Sequence, residues 1–362
     1  MTNPAAIDDE LKTHFKFATD DIVDGLNASQ HRRVDGSSLS CKIVIVNDLE
    51  PYALAAQRQE SSVVVFSTAL IHNCLAIAYL IEPVLSHLRS KKNEQRFERN
   101  DLVSKLIWGS SLNDGDKREY INLLPRYPGF KVQRIGAFAI FYDMLRLLIA
   151  HELFHIILGH ASFSQRMLGL GPIAEKPQSR LKSFHETEGE ATTDILKSFE
   201  LHADEMAMKL NIGQILYGKD ISGYMMDPHV DLVERLTIFN IACSIFTLFW
   251  RAEEQDLSID SMSTTHPPAG LRYLNFRDYQ REMAGVYDPN LLFAVDSLSL
   301  NALSLLSEIA GEFNGLLNLT PLLFRTPTMK KLARLSDHFM AVNVRMSENW
   351  KPLVYIPSRE VP

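Results

Sequence analysis

His151-Glu152-Leu153-Phe154-His155 is an H-E-x-x-H pentad lying inside a strongly apolar run, from about Ile135 to Leu158. Histidines four residues apart project from one face of an α-helix, so both imidazoles can reach a single metal ion. The glutamate beside the first histidine then points toward a water on that ion and can act as its base. Polar and charged groups in such a run are costly unless they serve a purpose. The pentad therefore predicts a buried helix over about Ile135 to Ala161, with a metal site built onto it.

Outward from that helix, two short runs read as strands: Lys42 to Val46 (K-I-V-I-V) and Ser62 to Phe66 (S-V-V-V-F). Turn-forming Asn47, Asp48 and Pro51 lie between them, and the two strands are expected to pair as a small antiparallel sheet. From Thr68 the pattern turns helical, ending near His87 to Lys91. Residues 92–118 are charged and loop-rich apart from an apolar piece, Leu102 to Trp108. Gly169, Gly171, Pro172 and Pro177 mark a loop over Gly169 to Arg180. A second helix is predicted over Ala191 to Leu210, with Ile195, Phe199, Met206 and Leu210 at helical spacing. Asp227-Pro228 opens another, running to about Glu254. A polar loop, Gln255 to Thr265, leads to His266-Pro267-Pro268, where proline suits the first turn of a helix. Two more amphipathic helices are expected over 290–316 and 328–348, and Pro352 to Ile356 (P-L-V-Y-I) suits packing, an edge strand or a short binding peptide. The predicted fold class is mainly α with a small antiparallel β-sheet (α+β).

Composition narrows the class. The chain has 362 residues, 46% hydrophobic and 22% charged, an ordinary globular balance with room for a sizeable core. A net charge of −7 argues against a nucleic-acid surface. Cys41, Cys74 and Cys243 are far apart and form no C-x-x-C pair, so neither a disulfide framework nor a zinc knuckle is indicated. The first twenty residues lack the apolar segment of a signal peptide. Three apolar runs, Val63 to Leu88, Ile135 to Leu158 and Leu236 to Trp250, read as core helices rather than membrane spans. A cytoplasmic protein without a membrane span is expected.

Two histidines do not complete a catalytic zinc site; a third protein ligand is needed, with the fourth position left for water. The candidates are His160, His185, Glu186, Glu188, Glu190, Glu200, His202, Asp204 and Glu205. On a continuous helix His160 lies about 140° beyond His155, pointing away from the ion. It is expected beside the ligands rather than among them. Glu200 fits better, because Asp204 follows one turn later and can accept the second N–H of a ligating histidine. Ala203 and Ala207 give that face small side chains, which allows close approach to the His151 helix. His266 and Arg272, in T-T-H-P-P-A-G-L-R, are candidates for stabilising a developing oxyanion.

Three blocks together resemble the gluzincin metallopeptidases related to HtpX and the type I CaaX prenyl endopeptidases. They are H-E-L-F-H-I-I-L-G-H (His151 to His160), E-L-H-A-D-E-M-A (Glu200 to Ala207) and T-H-P-P-A-G-L-R around His266 and Arg272. Val44 to Leu70 resembles the substrate-aligning hairpin of that family. The resemblance spans about residues 42–275, leaving an N-terminal extension (1–41) and a C-terminal helical region (276–362). It implies a zincin-like fold with added helices and a zinc ion held by His151, His155 and Glu200. Glu152 would be the catalytic base, Asp204 would support a ligating histidine, and His266 and Arg272 would lie near the site. Two features depart from the pattern: the family's transmembrane helices are missing, and Tyr52 stands where its hairpin has asparagine. The chain is also similar to the Lit-type phage-exclusion peptidases. That similarity implies a cytoplasmic endopeptidase that cleaves one host protein when a phage peptide appears.

The expected partner is thus a protein or peptide substrate, with an activating peptide or a homodimer as further possibilities. The competing reading is a non-catalytic zinc-stabilised interaction module, which has no need of Glu152 beside the first histidine. A buried pair of core histidines with no metal is the third, and it requires all three blocks to coincide by chance.

Overall fold

The structure, a computed structural model, describes residues 4–26, 31–32, 39–48, 51–58, 61–75, 77–78, 134–167, 173–175, 190–217, 231–249, 266–314, 326–350, 353–354 and 356–357. Helix α2, Arg134–Ile157, lies at its centre. Residues Met144 to Ala150 are fully buried on every side, as expected of a helix apolar all round. Its charges are met by neighbouring elements. Asp143 accepts two hydrogen bonds from Arg235 at 2.5 Å each, and Arg146 Nε lies 2.8 Å from Asp21 Oδ2. Arg146 also donates to Gln214.

Those partners come from three other helices. Asp21 is on α1, Pro4–Leu26, a helix not among the expected elements. Its signal was the apolar spacing of Phe15, Ala18 and Ile22, all of which enter the core. Gln214 is on α4, Glu190–Leu216, and Arg235 is on α5, Leu232–Ser244. Helix α5 starts at an Asp231 cap whose side chain accepts from Glu234 N at 2.8 Å. It runs on into a π-helical turn, Ile245–Phe249.

Against α2 lies a small sheet, and here the expected pairing is corrected. Strands β2 (Cys41–Val46) and β4 (Ser61–Ser67) are parallel, with Val44 opposite Val65. Between them in sequence is a strand that the reading missed, β3 (Ala53–Arg58), antiparallel to β4 with Leu54 opposite Val65. The chain reverses twice between β2 and β4, so those two run the same way and can pair only in parallel. Alanine-rich β3 carries little β propensity, but Ala53 and Ala55 are fully buried where α2 crosses the sheet. A further strand, β5 (Ile173–Glu175), pairs with β3 inside the expected loop 169–180. The sheet is therefore mixed, in the order β2-β4-β3-β5.

Helix α2 stops at Gly159, whose φ of 76° is left-handed, and α3 (His160–Met167) begins immediately after it. The expected single helix to Ala161 is thus two. Helices α6 (Ala269–Tyr287), α7 (Leu291–Asn314) and α8 (Thr326–Trp350) follow, with Pro268 as the residue before α6. Helices α6 and α8 pack on α4, and α7 packs on α5 and α6. One core runs from Phe15 on α1 to Phe339 on α8. Near the C-terminus β6 (Ile356–Pro357) pairs antiparallel with β1 (His31–Arg32).

Residues 68–75 are helical, as expected. The predicted end of that helix near His87 to Lys91 lies outside the described residues. So do the segment 92–118, Asp227-Pro228, the loop Gln255 to Thr265, and His185, Glu186 and Glu188. Among the described residues no helix is long and apolar enough to cross a membrane.

Candidate metal centre

Helices α2 and α4 run against each other, and Ala203 and Ala207 of α4 are fully buried. That close approach sets Glu200 against the two motif histidines. His151 Nε2 and His155 Nε2 are 3.0 Å apart. Glu200 reaches them with one oxygen each, Oε2 at 3.3 Å from His151 and Oε1 at 3.5 Å from His155. One ligand atom from each of the three residues lies within 4.8 Å of the others, and all three residues are buried. Two imidazole nitrogens and a carboxylate oxygen converging on one point could hold a divalent transition metal, and the donor types are compatible with zinc.

Each histidine uses Nε2 inward and is held from behind at Nδ1. His151 Nδ1 is 2.9 Å from Asp204 Oδ1. Asp204 in turn accepts both Nε–H and Nη2–H of Arg272 from the first turn of α6. Burial pulls the His151 imidazole down, but the hydrogen bonds and charges of Asp204 and Glu200 outweigh it and raise its pKa to about 9. Burial alone would raise the Asp204 carboxyl; the Arg272 guanidinium and His151 hold it below the ordinary carboxylate range.

The other sequence candidates separate clearly. Glu152 is fully buried beside His151 on α2. His266, just ahead of α6, brings Nε2 to 3.5 Å from Glu200 Oε2. Arg272 is fully buried on Asp204, behind His151 rather than among the donors. Glu205 pairs with Lys209 at 2.9 Å, on the side of α4 that faces Glu282. His160 and His202 stand behind His155, with His160 Nδ1 at 3.2 Å from His155 Nδ1 and His160 Nε2 at 3.3 Å from His202 Nδ1. Burial lowers the pKa of both, keeping His160 neutral well below the usual histidine range.

Two aromatic residues that sequence reasoning did not select complete the surroundings. Phe246, in the π-helical turn, meets the His151 ring edge-on at 5.9 Å and carries the Arg272 guanidinium over its face at 4.9 Å. Phe199 stacks flat on His160, with centroids 4.2 Å apart and planes 10° apart. Phe199 precedes Glu200 and was legible only as a core position; a π turn has no sequence signal of its own. No protein-family model, curated protein or solved structure matches the chain.

Proposed function

We propose that the chain is a zinc-dependent endopeptidase of gluzincin type with a zincin-like fold, acting in the cytoplasm on a protein or peptide substrate. The observation that carries this reading is the meeting of His151, His155 and Glu200 on helices α2 and α4, with Asp204 behind His151. Three protein donors leave a coordination position for water and substrate, the pattern of catalytic rather than structural zinc. Zinc held there supplies Lewis acidity toward a peptide carbonyl and makes a water acidic near neutral pH. Glu152, next to the first ligand, takes the proton of the attacking water and delivers it to the leaving amine. Asp204 keeps the His151 proton on Nδ1, leaving Nε2 as the donor atom, and Arg272 keeps Asp204 ionised and oriented. His266, whose Nε2 lies 3.5 Å from Glu200 Oε2, is the group assigned to donate a hydrogen bond to the developing oxyanion. The resemblance to Lit-type peptidases supports a phage-defence setting with one host protein as substrate and a phage peptide as activator.

Glu152→Gln tests the chemistry. The variant is expected to retain zinc while N-terminal profiling of cellular proteins loses the cleavages that the wild type produces. Retained cleavage in Glu152→Gln removes the base from the mechanism. One observation favours the alternative, a non-catalytic zinc-stabilised interaction module: His151 and His155 are fully buried and Glu200 is 3% exposed. Under that reading the wild type holds zinc and cleaves nothing.

A further inference from the structure

We propose that His160 is a positioning residue for the metal centre, fixing the tautomer and ring orientation of His155 as Asp204 does for His151. The inference rests on reading His151, His155 and Glu200 as metal ligands. His155 Nε2 faces His151 and Glu200, so its ring proton belongs on Nδ1, the atom 3.2 Å from His160 Nδ1. Two imidazole nitrogens at that distance form a hydrogen bond only if one carries the proton and the other does not. His155 donates, so His160 accepts at Nδ1 and carries its own proton on Nε2. That Nε2–H points to His202 Nδ1 at 3.3 Å. The tautomers of three histidines are thereby set in series, from the centre to partly buried His202 on α4.

The backbone is built to put His160 there. On a continuous helix its side chain points about 140° away from that of His155. The left-handed Gly159 (φ 76°) breaks the helix just ahead of His160 and turns its ring back against His155. Glycine is required at that position on two counts. A Cβ on Gly159 would lie 2.7 Å from Leu353 Cβ and 2.9 Å from its carbonyl group. Phe199, stacked on the ring from α4, fixes its plane. The two ligating histidines thus have different supports: an anionic carboxylate behind His151 and a neutral imidazole behind His155.

Zinc affinity, measured by chelator competition, separates orientation from mere packing. His160→Phe keeps a ring against Phe199 and offers no acceptor, whereas His160→Asn places an amide oxygen where Nδ1 stood. Zinc binding is expected to weaken about 10–100-fold in His160→Phe and to stay within about threefold of wild type in His160→Asn. Wild-type affinity in His160→Phe overturns the role, as does an equal loss in both variants. Long-range proton–nitrogen NMR of the zinc-loaded wild type reads the tautomers without any substitution. His160 protonated on Nε2 supports the proposal, and protonation on Nδ1 overturns it. A wild type that binds no zinc overturns the centre itself and His160 with it; zinc binding with an unaltered His160→Phe overturns the role alone.

Discussion

Asp204 is bound by two side chains at once: His151 Nδ1 at 2.9 Å from α2 and the Arg272 guanidinium from α6. One buried carboxylate therefore joins three helices, and it sits directly behind a candidate metal ligand. A buried charge of this kind is tolerable only while its partners stay in place.

Removing the cation should show that cost. Arg272→Met is expected to destabilise the fold by about 3–5 kcal/mol in urea unfolding, because Asp204 is left buried without its countercharge. Arg272→Lys should recover only part of this, since an ammonium cannot reproduce the two-pronged contact. A stability within 1 kcal/mol or so of wild type in Arg272→Met would show that the pair contributes little to the fold.

Metal analysis of purified protein should find one zinc per chain, and chelation should lower the melting temperature. Zinc at a hundred times its dissociation constant stabilises by about 2.7 kcal/mol. Glu200→Gln should retain much less zinc and melt at the same temperature with or without chelator. Unaltered metal content in Glu200→Gln points to another third ligand.

Gly159→Ala places a side chain on a left-handed residue and drives it into Leu353. A non-glycine residue there costs about 1–2 kcal/mol before the clash is counted, so a loss of 2 kcal/mol or more is expected by thermal unfolding. Zinc affinity should fall as well, because the His160 ring loses its turn. A neutral Gly159→Ala would show that the local backbone relaxes.

Asp143→Ala leaves Arg235 buried without the carboxylate that binds both its ends at 2.5 Å. A loss of about 3–5 kcal/mol is expected, and Asp143→Ala combined with Arg235→Met should cost less than Asp143→Ala alone. Simple addition of the two single effects in a double-mutant cycle would count against a coupled pair.

The thiols should resist alkylation in the folded state. Burial pushes Cys41 up to about 12 and Cys74 and Cys243 well above the ordinary thiol range. A raised pKa keeps sulfur protonated, and the thiol is not the nucleophile. At pH 8 iodoacetamide should label native protein slowly, and unfolded protein promptly at all three sites. Rapid native labelling of Cys74 would show that its helix opens easily.

How legible was this molecule in its sequence? The motif helix, the Glu200 helix and both C-terminal helices lie close to where apolar periodicity puts them. Periodicity reports one face of one element, so it also marked the candidate ligand pair and the buried alanines Ala203 and Ala207. Helix α1 carried the same kind of signal in Phe15, Ala18 and Ile22 and was passed over. Strand β3 carried almost none, since alanines suit a strand only where a helix crosses close above it.

Sequence by itself determined which chemical groups share a helical face: His151 with His155, and Glu200 with Asp204. These pairings follow from a fixed rise and twist per residue, which is local. Tertiary structure alone decided that the two faces meet, that Arg272 closes on Asp204 across 68 residues, and that Gly159 turns His160 back onto His155. Those contacts depend on helix register, on how the helices dock and on one left-handed residue. None of these has a period to read.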